Sequence, residues 1–311
     1  GRSRSKRYLG RVLTKGLAGL LLLAGVLFSS IPAQATTDDR QFRLGFSARI
    51  FTGVNDNDAL AAIKVWAETI NREQKFSVEP TSLILRGEEE IRQALSQQKI
   101  DALTLPLDEY WRVREFLDQQ VFICSNYDGN ISQEYVLLVH GESDIHQLQD
   151  LDGRKLNFME GPQMSLAQIW LDTILIQSGM PAVEQFCRVS YLPHLAKTLL
   201  PVFFRQCDAC VVTREGFKIM NELNPQIGRG LRILATSPKL VASGFAFTKN
   251  VNSPLRGKII KQLTQITHSP AGAQVMKLFK SGSFKAEPIA CLDSAFELLT
   301  THEHLLDKNP P

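Results

Sequence analysis

Apolar residues along this chain alternate between short continuous runs and stretches with helical spacing. From Ala59 to Ile70 the apolar positions recur every three or four residues, which predicts an amphipathic helix. Short apolar runs bounded by Gly, Asn, Asp or Pro predict strands instead. The predicted strands are 42–47, 82–85, 100–105, 121–125, 135–140, 155–158, 189–191, 209–212, 231–236 and 244–248. Because strands and helices alternate, the pattern predicts an α/β fold with helices on both faces of its sheets.

The length of the chain predicts two such units, each a mixed sheet with flanking helices. We expect a first crossing between them at 128–133 and a second near 236–242. Lobe 1 then comprises 36–132 and 241–311, with mainly helices after Pro254, and lobe 2 comprises 133–240. Open α/β sheets bind ligands beyond the carboxyl ends of their strands, so we expect the ligand site in the cleft between the lobes.

The first 35 residues differ in kind from the rest. Six basic and no acidic side chains lie in residues 1–15, and an apolar run of 12 residues, Leu17–Phe28, precedes the small-residue ending Ala33-Gln34-Ala35. This order predicts a signal peptide, 1–35, cut after about Ala35 and leaving a protein that acts outside the cytoplasm. A retained membrane anchor is the alternative, but a bilayer span needs about 20 residues.

The formal net charge of +3 depends on that segment. Without its six basic residues the rest of the chain is close to −3. It contains no basic run with interleaved aromatic residues, so no nucleic-acid partner is expected. It also lacks a P-loop, a G-x-S-x-G or H-E-x-x-H motif and the Cys and His spacing of zinc sites. The missing motifs do not exclude an enzyme, but they make one less expected, and no metal or cofactor is expected.

Five cysteines make disulfides possible in an oxidising compartment, and their odd number leaves at least one thiol over. Cys207 and Cys210 form a C-x-x-C pair, which is a possible disulfide. The same pair leaves a thiol redox protein as a minor alternative. Redox cysteines need a depressed pKa, commonly at a helix N-terminus, whereas these two precede an apolar strand.

Three polar residues lie where the predicted cleft would place them beside a ligand. Ser165 is expected at the start of the helix after strand 155–158, where free N–H groups and a hydroxyl can bind an anion. A plain N-cap serine is the alternative. His194 follows strand 189–191 and is either an anion donor or a surface histidine. Asp208 either holds a donor group of the ligand or bonds only to backbone N–H groups.

Three segments, in order, give the chain its likeness to a known family. They are Ile100–Tyr110, Ile145–Lys155, and Tyr191–His194 followed by 202–212 with Asp208-Ala209. Together they resemble the phosphate/phosphonate-type periplasmic solute-binding proteins of ABC transporters, over about 42–279. The resemblance implies a Venus-flytrap protein of the type 2 periplasmic binding fold, which closes on a small anion such as phosphate or a phosphonate.

The resemblance also implies roles for individual residues and partners. Tyr110, Ser165 and His194 become expected ligand contacts. The candidate set is completed by Ser47 at the end of the first strand, Thr52 after it, Gln163 before Ser165, and Asp208. The expected partner is the permease of an ABC transporter, and the protein is expected to be a periplasmic monomer.

Two departures from the family pattern leave the ligand open. The lobe-2 anion loop, usually rich in Ser and Thr, here keeps a hydroxyl only at Ser165 in Gln163-Met-Ser-Leu166. Thr213 stands where many relatives have an acid that pairs with an amino group. Because a buried oxyanion short of donors is costly, phosphonate specificity stays open. A periplasmic sensor that docks on a membrane signalling protein is the alternative function.

Overall fold

The computed structural model describes residues 41–73, 77–127 and 129–308. The predicted signal peptide lies outside the described residues. Two sheets account for the strands that the structure describes, with six strands in one and five in the other. We call the six-stranded sheet with its helices lobe 1 and the five-stranded sheet with its helices lobe 2.

Lobe 1 is built on strands from both ends of the described chain. They are β1 (Leu44–Ser47), β2 (Leu83–Leu85), β3 (Ala102–Pro106), β4 (Val121–Asn126), β10 (Ser243–Phe247) and β11 (Ser283–Pro288). Their order is β11-β4-β10-β3-β1-β2. Strands β1, β2 and β3 run parallel, and β10 runs antiparallel to both β3 and β4. The carboxyl ends of β1 and β3 therefore lie at one edge of the sheet, beside the start of β10.

Lobe 2 is continuous in sequence. Its strands are β5 (Gln133–His140), β6 (Lys155–Met159), β7 (Arg188–Leu192), β8 (Ala209–Thr213) and β9 (Leu231–Leu240). Their order is β7-β6-β8-β5-β9, with β6 parallel to β7 and β8 and with β5 antiparallel to its neighbours. The chain enters this sheet between β4 and β5 and leaves it between β9 and β10.

The helices fill the connections between strands. They are α1 (Asp56–Glu73), α2 (Gly87–Ser96), α3 (Leu107–Val113), α4 (Ala167–Gln177), α5 (Val183–Phe186), α6 (Leu195–Phe203), α7 (Arg214–Leu223), α8 (Pro225–Gly230), α9 (Ser253–Thr264), α10 (Pro270–Leu278) and α11 (Asp293–Lys308). The predicted fold class, two mixed sheets with flanking helices, is confirmed. The part after Pro254, predicted as mainly helical, also contains strand β11.

A continuous apolar core connects the lobes. It joins Leu105 of β3 and Phe122 of β4 to Leu156 of β6 and Trp170 of α4. The C-terminal helix α11 packs against α4 and contributes Leu298 to this core. No helix in the described parts of the chain is both long and apolar enough to span a membrane.

Candidate functional site

The loop between β6 and α4 in lobe 2 contains Ser165, where the sequence predicts an anion site. Gly161 has φ +142°, a conformation that side-chain-bearing residues rarely adopt. A single 3₁₀ turn, Pro162–Met164, follows it, and α4 begins at Ala167. The sequence predicts Ser165 at the start of this helix. In the structure it lies just before the helix, two residues ahead of Ala167.

The Ser165 hydroxyl already has a partner within the protein. It donates to the carbonyl oxygen of Ala242, 2.6 Å away, in the segment where the chain returns to lobe 1. The backbone N–H of Leu107, at the start of α3, donates to the same oxygen at 2.8 Å. The Ala242 carbonyl thus connects the lobe-2 loop, the second crossing and lobe 1. A ligand at Ser165 would meet a hydroxyl oxygen whose proton points at the protein.

The phenol of Tyr135, in the first strand of lobe 2, fixes the other side of this loop. Its hydroxyl donates to the Gln163 carbonyl at 2.8 Å and accepts from the backbone N–H of Leu166. The side chain is fully buried, and burial raises the pKa of this phenol. The loop is therefore held in shape by groups of the protein itself.

The opposing wall, in lobe 1, carries charge. Ser47 ends β1, and its hydroxyl oxygen accepts from the backbone N–H of Arg49 at 3.2 Å, which caps the 3₁₀ turn Ala48–Phe51. The Arg49 guanidinium lies 2.6 Å from the Asp108 carboxylate and 3.7 Å from that of Glu109, both at the start of α3. The carboxyl ends of β1 and β3 thus bring one cation and two acids together.

Burial governs the protonation of this cluster. It raises the pKa of Glu109, while the Ser47 hydroxyl and Arg49 act in the opposite direction. Burial also acts to lower the pKa of Arg49, but Asp108 and Glu109 raise it above the usual value. The second oxygens of both acids, Asp108 Oδ1 and Glu109 Oε2, are buried without a hydrogen-bond partner. Arg49 is therefore charged and is held by acids that lie behind it.

A cavity of about 260 Å³, which we call the Arg49 cavity, separates the two walls. Lobe 1 contributes Arg49 and Thr52, whose hydroxyl donates to the Arg49 carbonyl at 3.3 Å. Lobe 2 contributes Ser165, Gln168 and Tyr191, among others. Tyr191 is partly exposed and stacks on Phe158, with ring centroids 5.7 Å apart. The cavity offers a cation and an aromatic face to a small ligand, and the carboxylate of Glu160 also lines it.

A second cavity, of about 380 Å³, lies beside the first crossing, and we call it the Lys280 cavity. Gln163 lines it from the lobe-2 loop, and Arg214 lines it while paired with Glu134. Lys239 and Lys280 also line it, and neither has an ion-pair partner among the described residues. The two cavities lie on either side of Met159, which lines both.

Comparison with known families decides the identity of the chain. Residues 52–287, about three quarters of the chain, match the family described as ABC transporter, phosphonate, periplasmic substrate-binding protein. The chain belongs to this family. The predicted family and its role as the solute-binding component of an ABC transporter are thereby confirmed.

Solved structures of very different sequence share the fold of this substrate-binding protein. XAC2383 from Xanthomonas citri, bound to chloride ion, has a TM-score of 0.60 at 12% identity, over 86% of this chain and 99% of that one. A binding protein component of an ABC phosphonate transporter from Pseudomonas aeruginosa has a TM-score of 0.56 at 13% identity, with 87% and 90% covered. PhnD1 from Prochlorococcus marinus, in complex with methylphosphonate, has a TM-score of 0.53 at 10% identity, with 87% and 98% covered. No curated protein matches the sequence.

Tyr110 of this substrate-binding protein lies in the core of lobe 1 and does not line either cavity. It is fully buried, its ring packs edge-on against Phe122 at 5.4 Å, and its hydroxyl faces the Asp118 carbonyl and Gln119. Burial raises the pKa of Tyr110 to about 12. The expected ligand contact is therefore replaced by a packing role, because the apolar ring turns inward from α3.

Asp208 and His194 also lie apart from the cavity walls. Asp208 precedes β8, at the amino ends of the parallel strands, where its carboxylate accepts from the Lys155 N–H at 2.8 Å and lies 3.8 Å from Arg154. Asp208 therefore bonds to both the backbone and the Arg154 side chain, and it lines neither cavity. His194 is exposed at the start of α6 and lines neither cavity.

Cys207 and Cys210 are both buried free thiols. Burial raises the pKa of each, and the Cys207 thiol donates to the Lys155 carbonyl at 3.2 Å. A redox thiol needs the opposite shift. The pair lacks the property on which the redox alternative depends.

Arg49 is the residue of this site that the sequence analysis missed. Its signal was present, because it follows Ser47 just beyond the carboxyl end of a predicted strand, the place where α/β sheets bind ligands. Lys239 and Lys280 carried no comparable signal, since each lies among ordinary surface charges in the sequence.

Proposed function

We propose that this protein captures a small oxyanion, of the phosphate, phosphonate or sulfonate class, in the Arg49 cavity and presents it to the permease of an ABC transporter. The observation that carries the proposal is the position of Arg49 opposite the Ser165 loop. Both acidic partners of Arg49 contact its Nη1 atom, so Nε and Nη2 remain for a ligand. A guanidinium donates in a fixed fork that suits planar or tetrahedral oxyanions.

The ligands bound in two structures of the same fold support an anion. One is bound to chloride ion and another to methylphosphonate. The charges in the cleft refine this class. Asp108 and Glu109 offset the charge of Arg49, and Ser165 directs its proton to Ala242. A site with so few free donors favours a monoanion over a dianion, because each unsatisfied oxygen of a buried anion costs free energy.

Isothermal titration calorimetry with inorganic phosphate, methylphosphonate and short alkyl sulfonates tests the proposal. We expect at least one of these anions to bind with 1:1 stoichiometry and the monoanionic sulfonates to bind more tightly than phosphate at pH 8. Folded protein that binds none of them would contradict the anion assignment. Binding of phosphate alone would contradict the preference for monoanions.

The export and assembly of the protein belong to the same proposal. A signal peptide cut after about Ala35 would deliver a monomer to the periplasm, and the family is periplasmic. N-terminal sequencing of the exported protein and light scattering measure the cut and the mass. An N-terminus at residue 1 or a stable dimer would contradict these two points.

The engaged hydroxyl of Ser165 favours a second candidate function, a periplasmic sensor that docks on a membrane signalling protein. Ser165 keeps the one hydroxyl of the Gln163–Leu166 segment, and that hydroxyl bonds to Ala242, so the loop is altered from the family pattern and favours an altered ligand. Neighbouring genes separate the two functions. A permease and an ATPase favour transport, and a membrane kinase or cyclase favours sensing.

A further inference from the structure

Two cysteines that are far apart in sequence are in contact in lobe 1. Cys124 lies on β4, the strand that leads into the first crossing, and Cys291 lies in the 3₁₀ turn Ile289–Leu292 just before α11. Their sulfur atoms are 3.6 Å apart, although 167 residues separate them in sequence. No other pair of thiols within the described residues makes such a contact. A disulfide needs about 2.05 Å between its sulfurs, so these two sulfurs would have to approach by about 1.5 Å.

The two thiols have different environments, which suits a stepwise oxidation. Cys124 is fully buried, whereas Cys291 is partly exposed. The contact between the two thiols lowers the pKa of Cys291, while the same contact and burial raise the pKa of Cys124. Cys291 is therefore the accessible nucleophile, and Cys124 is the buried thiol that can resolve a mixed disulfide.

We propose that Cys124 and Cys291 form a structural disulfide in the periplasm. The oxidant is a thiol oxidase that carries a protein disulfide. The Cys291 thiolate attacks one sulfur of that disulfide, forms a mixed disulfide and releases the first oxidase thiolate, which takes up a proton. Cys124 then loses its proton and attacks the sulfur of Cys291, and the second oxidase thiolate leaves and is protonated. Two thiols are oxidised to one disulfide, and the oxidase disulfide is reduced to a dithiol.

The crosslink would join the central part of lobe 1 to the C-terminal helix. Strand β4 pairs with both β10 and β11, and α11 packs against α4 of lobe 2. A disulfide just before α11 would therefore attach this helix, which contacts both lobes, to the lobe-1 sheet. Closing so long a loop restricts the unfolded chain strongly, which is the main source of disulfide stabilisation in the chain-entropy account.

Peptide mapping of the exported protein tests the bond directly and needs no variant. Trypsin places Cys124 on peptide 115–154 and Cys291 on peptide 286–308, while Cys207 and Cys210 share peptide 206–214. After export to an oxidising periplasm and alkylation without reductant, we expect 115–154 and 286–308 to be linked. Alkylation of both peptides as free thiols, or a link from either one to another cysteine, would overturn the proposal.

Thermal unfolding with and without reductant gives a second test. We expect the reductant to lower the Tm of the wild-type protein by about 5–10 °C. Cys124→Ser with Cys291→Ser should have the lower Tm under both conditions. Cys207→Ser with Cys210→Ser is the matched control and should keep the full response to reductant. A wild-type Tm that does not respond, or a response that disappears only in the control, would contradict the assignment.

Discussion

The two walls of the Arg49 cavity differ in their charged groups and in the partners of their polar groups. The lobe-2 wall carries the exposed carboxylate of Glu160, and its Ser165 hydroxyl bonds within the protein, to Ala242. The lobe-1 wall carries a charged guanidinium, whose partners Asp108 and Glu109 keep one buried oxygen each without a hydrogen bond. Lobe 1 therefore contributes the cation of the cavity, and lobe 2 contributes a fixed loop and an acid.

This difference teaches where ligand affinity and structural stability reside. A charge-assisted hydrogen bond to an anion is roughly twice as strong as a neutral one, so removing Arg49 should reduce affinity most. A buried hydrogen bond within a loop contributes to the free energy of unfolding instead. Substitutions on the two walls should consequently separate the two properties.

Arg49→Gln should produce the largest loss of affinity. We expect Kd for the anion that binds to the wild type to rise about 10–100-fold, because the interaction with a charged donor is worth about 1.5–3 kcal/mol. Calorimetry on protein whose fold is checked by circular dichroism measures the change. Arg214→Gln, which removes one of the cations that line the Lys280 cavity, is the control and should change Kd much less. A larger effect of Arg214→Gln would place the ligand in the Lys280 cavity.

Tyr135→Phe should cause the largest loss of stability at the lobe-2 wall. It removes the partner of the Gln163 carbonyl and of the Leu166 N–H, which should cost about 1–3 kcal/mol in the free energy of unfolding. Urea unfolding measures this cost. Tyr110→Phe is a matched control, because that phenol is equally buried but its hydrogen bonds are longer, at 3.3 and 3.4 Å. Equal costs for the two variants would contradict the role given to the Tyr135 hydroxyl.

Most strands could be predicted from the sequence, because apolar runs report burial directly, and the family followed from the three segments that resemble it. Strand β11 was missed for the same reason. It is an edge strand that pairs only with β4, and its sequence Ser-Phe-Lys-Ala-Glu-Pro buries only Phe284 deeply. A strand with one deeply buried side chain and two charges lacks the apolar run on which strand prediction depends.

The site was harder to predict, because its residues depend on side-chain direction. Tyr110 and Arg49 both follow strands that end at the cleft, yet the phenol turns into the core and the guanidinium turns into the cavity. Asp208 precedes its strand, so the strand direction alone assigns it to the opposite edge of the sheet. That inference was available from the sequence, whereas the direction of Tyr110 was not.

Ser165→Ala should have a smaller effect on both properties. The Ala242 carbonyl keeps the Leu107 N–H, so the loss of the hydroxyl should reduce the free energy of unfolding by about 1 kcal/mol. Affinity should fall less than in Arg49→Gln, and Ser165→Thr should restore stability because it keeps a hydroxyl. A loss of affinity equal to that of Arg49→Gln, measured by calorimetry, would mean that the lobe-2 wall binds the anion as strongly as lobe 1.

Glu109→Gln should have the smallest effect, and its sign depends on pH. Burial raises the pKa of Glu109 in the folded protein above its ordinary value of 4.5, so the folded state holds this proton more tightly than the unfolded state. Stability is therefore lost as pH rises from the ordinary pKa through the folded one. Because Gln cannot ionise, the Tm of the variant should rise relative to that of the wild type across that window and remain higher up to pH 7. Asp108→Asn, which removes the closer partner of Arg49, should instead lower the Tm at pH 7. Parallel Tm profiles for Glu109→Gln and the wild type between pH 4 and pH 7 would show that burial does not raise the pKa of Glu109. Ionisation of this carboxyl would then not destabilise the folded protein.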